Sequence, residues 1–232
     1  GLGLTSLERV AFQAAASEID IDPLPDIEPA EEILQKLISA SQTLCIPAMI
    51  YDSYYNIIAG NSIMFALSGI ENMESLDVGN ESPARFNLLR YYFDPSLTFS
   101  QVTGSHWKTI ARRSVQHFRA TSLNDRYTER FQSIFSDLCN YMAFQEFWTT
   151  SRYDDRDVYN RWGGYDYVHP KCGPISYLSS EAITLTGQED LFLITYSPRN
   201  WETMRAFEEL GREVGLNIHR FAPWPYQVTY SE

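Results

Sequence analysis

Apolar residues in this chain keep helical spacing through its middle and strand spacing on either side, and that change of period limits the folds open to it. Three helical tracts are predicted between residues 86 and 148. The first covers 86–93. The second covers 105–120, with Trp107, Ile110, Ala111, Ser114, Val115 and Phe118 along one side. The third starts at Asp125, capped by Asn124 or Asp125, and runs through Phe131, Ile134, Phe135 and Leu138 to Met142, Phe144, Phe147 and Trp148. Before this block lie two short strand patterns, 48–51 and 55–59, joined through Asp52-Ser53. After it come 173–185 and 191–196, separated by a turn at Thr186-Gly187-Gln188-Glu189-Asp190. Hairpins on both sides of a helical block predict an α+β layer fold built on an antiparallel sheet.

Further helices flank these elements. Thr5 or Ser6 caps one reaching about residue 16, and Ile33, Leu34, Leu37 and Ile38 mark another over 30–41. Between them, 19–29 holds three prolines and four carboxylates with no Lys or Arg, which reads as a linker. Asn61 opens a helix through Ile63, Met64 and Leu67 that stops at Gly69. A last helix, 201–214, carries Met204, Phe207 and Leu210 on one face.

With 15 Tyr, 13 Phe and 5 Trp in 232 residues, a sizeable core is expected. A net charge of −12 argues against this chain gripping a phosphate backbone by itself. No run of 18 apolar residues occurs, so no membrane span is expected. The opening residues lack the basic-then-apolar pattern of a signal peptide. Cys45, Cys139 and Cys172 are odd in number and far apart, as reduced thiols would be.

The most chemically loaded stretch is Arg85-Phe86-Asn87-Leu88-Leu89-Arg90-Tyr91-Tyr92-Phe93, closed by Asp94-Pro95. On a helix Arg85 and Arg90 diverge by roughly 140°, so one can face solvent while the other turns inward. An inward Arg90 needs an anion, either Asp94 or another carboxylate of the protein, or the head group of a ligand. The four histidines form no His-x-x-x-His pair, and His169-Pro170-Lys171-Cys172 has no second pair to complete a zinc site. There is no Gly-x-Ser-x-Gly elbow, P-loop or dinucleotide fingerprint, so no catalytic residue, metal or cofactor is expected.

Taken in order, several of these features resemble one family. They are the two strands leading to Asn61, the Arg85-x-Asn87-x-x-Arg90-x-x-Phe93 string with its Asp-Pro, and Trp107. Phe118-Arg119-Ala120, Asn124-Asp125-Arg126, Phe147-Trp148 and His169-Pro170-x-x-Gly173 follow. The series is similar to the ligand-binding domain of MmyB-like transcription regulators, the sensory half of XRE-type helix-turn-helix proteins. Leu4-Thr5-x-x-Glu8-Arg9 is similar to the last helix of their DNA-binding domain. The resemblance divides the chain into that helix at 1–18, a linker and connecting helix at 19–43, and a sensory domain at 44–232. The helix from Trp201 and the tail 221–230 exceed the family pattern.

The resemblance implies a PAS-like antiparallel sheet covered by helices, here with an additional N-terminal and C-terminal helix. It also implies a cytoplasmic, non-enzymatic regulator, a homodimer, touching DNA only through the missing helix-turn-helix domain. Its expected ligand is a small hydrophobic molecule such as a fatty acid. In that reading Arg90 anchors the head group, and Tyr91, Tyr92 and Tyr177 add hydroxyls. Met64, Leu67, Trp107, Ile110, Ala111 and Ser114 line an apolar chamber with Phe118, Phe131, Ile134, Phe135, Leu138, Phe147 and Trp148. The bland alternative is that these rings are simply core. A rival function is a dimerisation module without a ligand, using Met204, Phe207 and Leu210 as its face.

Overall fold

A computed structural model describes residues 29–70, 82–123, 125–150, 163–184 and 190–225. The N-terminal helix expected over 5–16 and the turn at 186–189 lie outside the described residues. The architecture is α+β, with one six-stranded antiparallel sheet and helices on both faces.

In chain order the elements are α1 (Ala30–Gln42), β1 (Ala48–Asp52), β2 (Ile57–Asn61), α2 (Ser62–Leu67), α3 (Leu88–Phe93) and α4 (Phe99–Thr103). After a 3₁₀ turn come α5 (Trp107–Thr121), α6 (Glu129–Leu138), α7 (Met142–Thr150), β3 (Gly163–His169), β4 (Gly173–Thr184), β5 (Leu191–Pro198), α8 (Trp201–Val214) and β6 (Ile218–Arg220). Strand order is β3-β4-β5-β1-β2-β6, so the first two strands sit beside the last long one and close the sheet around the inserted helices.

Successive side chains of a strand point to opposite faces. Along β1, Met49 and Tyr51 enter the core that faces α3, α5 and α6, while Ile50 joins a second core with Leu34 of α1. Leu34 and Ile50 there meet Ile58, Leu191 and Trp224. The connecting helix thus packs on the back of the sheet. At the other end of the front face, Phe207 and Leu210 of α8 pack with Ile63, Leu67 and Ile175.

Helix ends follow the expected chemistry with some shifts. Asn61 caps α2 by accepting the Met64 amide at 3.0 Å. Gly69 closes it at φ +74°, a left-handed conformation that costs glycine nothing, and an added Cβ there would strike Val102. The first central helix begins at Leu88 rather than 86, because Asn87 is its cap, accepting from the Leu89 amide at 3.0 Å. The third predicted helix is two helices. Thr128, not Asp125, caps α6 by accepting from the Phe131 amide, and the chain turns at 139–141 before α7. That turn brings Phe144 back against Phe135, with ring centroids 5.9 Å apart. Strands β3 and β6 were not anticipated, and β2 starts two residues later than expected because the turn takes 53–56.

That turn is built on one carboxylate. Asp52, fully buried, accepts from the Tyr54 amide at 2.9 Å, the Asn56 amide at 2.8 Å and the Asn56 side chain at 3.0 Å. Arg130 of α6 reaches its Oδ2 at 2.6 Å and lies over the Tyr54 ring. This web holds Tyr55 at φ 68°, a left-handed conformation that non-glycine residues rarely adopt. The Asn87 side chain then donates to the Tyr54 carbonyl at 2.7 Å, and the Leu88 amide donates to the Tyr55 carbonyl at 2.8 Å.

Removing a partner from a buried ion pair leaves the other charge uncompensated. Asp52→Ala is therefore expected to lose about 3–5 kcal/mol in urea unfolding. Asp52→Asn combined with Arg130→Met should recover part of that loss, since neither charge then remains.

Candidate functional site

A cavity of about 20 Å³ lies where α2, α3 and α4 meet the front of β1, β2 and β5. The sheet contributes Met49, Ile57 and Tyr196, the helices Met64, Phe65, Leu88, Tyr91, Tyr92 and Phe99, and the turn after α2 Ser68 and Ile70. The volume holds about one water molecule. No charged side chain is among these walls. Tyr91 donates its hydroxyl to the Ser68 carbonyl. Burial pushes Tyr91, Tyr92 and Tyr196 well above the usual phenol pKa, so all three present protonated hydroxyls.

Of the residues singled out in the sequence, Met64, Tyr91 and Tyr92 stand at this cavity. Tyr177 is one ring removed, stacked on Tyr196 at 4.3 Å. Ser114 hydrogen-bonds Tyr92. Leu67 belongs to the cluster under α8.

The large helix aromatics pack among themselves. Phe118 stacks on Phe131 and Phe131 on Phe135, both at 5.6 Å, while Trp148 sits 4.7 Å from Phe135. Trp107 lies on Phe147 at 6.0 Å. Ile110, Ala111, Ile134 and Leu138 are buried in the same core. The cavity opens beside this layer, at α2 and α3, and not within it.

Arg90 takes the internal partner. Its Nε is 3.4 Å from Asp94, and its Nη1 donates to the Arg85 carbonyl at 3.0 Å. Burial works against ionisation of Asp94, but the Ser96 hydroxyl and amide, Tyr141 and Arg90 outweigh it and hold the carboxyl below its ordinary range. Helical geometry explains the split within the string. Tyr91 and Tyr92 turn to the cavity while Arg90 turns to the carboxylate four residues on.

A hydrogen-bonded chain crosses from the sheet to the helices nearby. Tyr51 donates to Glu181, Glu181 is 3.5 Å from His117 Nε2, and His117 Nδ1 is 2.6 Å from the Tyr55 hydroxyl. It joins β1, β4, α5 and the strained turn.

This arrangement, an antiparallel sheet with a tyrosine-walled hollow under short helices, is met by a sequence match over the same elements. Residues 31–210 match the MmyB-like transcription regulator ligand binding domain. The chain belongs to this family. No curated protein matches the chain. The MmyB-like match starts within α1 and ends within α8, so both helices belong to the matched region. Among the described residues, no helix of this MmyB-like domain is long and apolar enough to cross a membrane.

Several cavity residues were not anticipated. Met49 and Ile57 lie in strands buried along their whole length, Phe65 in a nearly buried helix, Leu88 inside the string and Tyr196 in a mostly half-buried strand, where spacing does not say which residue meets a hollow. Tyr165 and Tyr167 do alternate with Asp166 and Val168, a strand signal in plain view.

His169 accounts for the His-Pro-x-x-Gly motif. Its Nδ1 accepts from the Lys171 and Cys172 amides, both at 3.1 Å, which leaves the proton on Nε2 to donate to the Leu67 carbonyl at 3.1 Å. Gly173 completes the β3–β4 turn at φ +73°. The ring thus ties the hairpin to the end of α2. Burial, helped by Lys171, holds its pKa below the ordinary 6.5, because a protonated Nδ1 could not accept. The unfolded chain then binds the proton more readily than the folded one. The histidine's contribution is full above about pH 6.5 and is lost as pH falls through the depressed folded value. Urea midpoints measured from neutral to mildly acid pH should fall for the native protein, and less steeply for His169→Asn.

Proposed function

We propose that this domain is the non-enzymatic sensor of a cytoplasmic, DNA-binding transcription regulator, and that a hydrophobic or amphiphilic small molecule such as a fatty acid enters the tyrosine-walled cavity. The observation that carries the reading is this hollow, set between the helices and the sheet of a domain whose family is a ligand-binding one.

The cavity is far smaller than an alkyl chain, so binding must part α2 and α3 from β1 and β5. Burying fourteen carbons at ~0.8 kcal/mol per methylene gains roughly 10 kcal/mol before ordering costs. Parting the packed contact layer takes back part of that gain. Displacement of β1 would be felt by α1 on its reverse face, and α1 leads back to the N-terminal residues expected to join the DNA-binding domain. Ligand binding would then act as a shift between two packings of the sheet and its helices.

The rival reading, a dimerisation module built on α8, is weakened by the burial of Phe207 and Leu210 in this chain's own core. A homodimer formed through another surface is compatible with the sensor.

Native mass spectrometry of the purified protein should show a co-purifying or titratable apolar molecule. Leu88→Trp, which overfills one wall, should weaken that binding at least ~10-fold, with the unfolding free energy measured in urea lowered by the overpacking cost of about 1–3 kcal/mol. A protein that takes up no alkanoate, alkanol or aromatic acid would sink the proposal.

A further inference from the structure

Arg113 projects from α5 over Tyr165 of β3, its guanidinium carbon 5.4 Å from the ring centroid. Its Nε and Nη1 are shielded from solvent and have no hydrogen-bond partner among the described residues. The group is permanently charged, so this is a cation with two idle donors at the edge of the core. A cation–π contact compensates for only part of what a guanidinium loses on leaving water.

The surroundings connect it to the cavity. Tyr165 is 5.3 Å from Tyr177, Tyr177 stacks on Tyr196 at 4.3 Å, and Tyr196 is a cavity wall. Ser114, the next residue on α5, hydrogen-bonds Tyr92, another wall. Burial keeps the hydroxyls of Tyr92, Tyr177 and Tyr196 protonated, so these rings supply no negative charge.

The neighbouring carboxylates of the sheet are committed elsewhere. Glu181 is held by Tyr51 and His117. Asp166 accepts from the Ser176 hydroxyl and pairs with Arg199. What the site lacks is an anion, and the apolar hollow lies beyond Tyr165 and Tyr177, at Tyr196.

We propose that Arg113 is the head-group anchor of the cavity, donating to the carboxylate of an apolar acid whose tail lies among Met49, Met64, Leu88 and Tyr196. This rests on the sensor reading above and adds the charge of its ligand. It also moves the anchor from Arg90, which already has Asp94, to a guanidinium with donors to spare.

The test is calorimetric titration of the full chain with dodecanoate, 1-dodecanol, 3-phenylpropanoate and 3-phenyl-1-propanol. The two pairs separate an alkyl from an aromatic tail, and within each pair only the acid carries charge. At least one acid should bind ~10-fold or more tightly than its alcohol, the usual worth of a hydrogen bond to a charged group. Arg113→Gln should abolish that preference and leave the alcohol's affinity unchanged. Arg112→Gln, which removes an exposed charge one residue away, should keep the preference. Equal binding of acid and alcohol by the native protein overturns the anchor but spares the sensor, as does an acid preference that survives Arg113→Gln. Binding of none of the four probes takes down the sensor reading and the anchor with it.

Discussion

A single buried carboxylate decides where the helices of this domain can sit. Asp52 ends β1, gathers the amides of the following turn and holds Arg130 of α6, so the sheet and the helical layer share one electrostatic anchor. Without it Tyr55 would have no reason to stay left-handed, and the carbonyls of Tyr54 and Tyr55 would not face Asn87 and Leu88. The position of α3 depends on that meeting. So does the direction in which Tyr91 and Tyr92 point.

The helical layer divides into a solid part and a hollow part. From Trp107 to Trp148 the rings meet edge to face or stacked at ordinary separations, which gives a stiff slab. Beside it, α2 and α3 are only six residues each and carry smaller contact faces. A gap forms where these short helices meet β1, β2 and β5, and Tyr91 and Tyr92 of α3 face it together with Tyr196 of β5. Their hydroxyls make the hollow wettable without making it charged.

Much of the fold could be read from the sequence, for reasons that particular residues make clear. The bounds of α8 and the cap at Asn61 follow from spacing and side-chain chemistry that act locally. The break between α6 and α7 does not, because apolar residues continue across it and only tertiary packing of Phe144 on Phe135 requires the turn. Strand β6 is three residues long and exists only through its pairing with β2. The site was less legible. Helical spacing pointed to Met64, Tyr91 and Tyr92, but β1 and β2 are buried on both faces and show no alternation to mark Met49 or Ile57 as inward. The choice among arginines had a signal: Arg90 carries Asp94 four residues on, whereas Arg113 has Thr109 and His117 at that distance.

Strand β1 has no idle side. Met49 borders the hollow, and its neighbour Ile50 is pressed beneath Leu34 on the reverse. Adjacent residues of a strand share one peptide plane, so whatever pushes the first drags the second. The strand is thus the common wall of the hollow and of the core beneath α1.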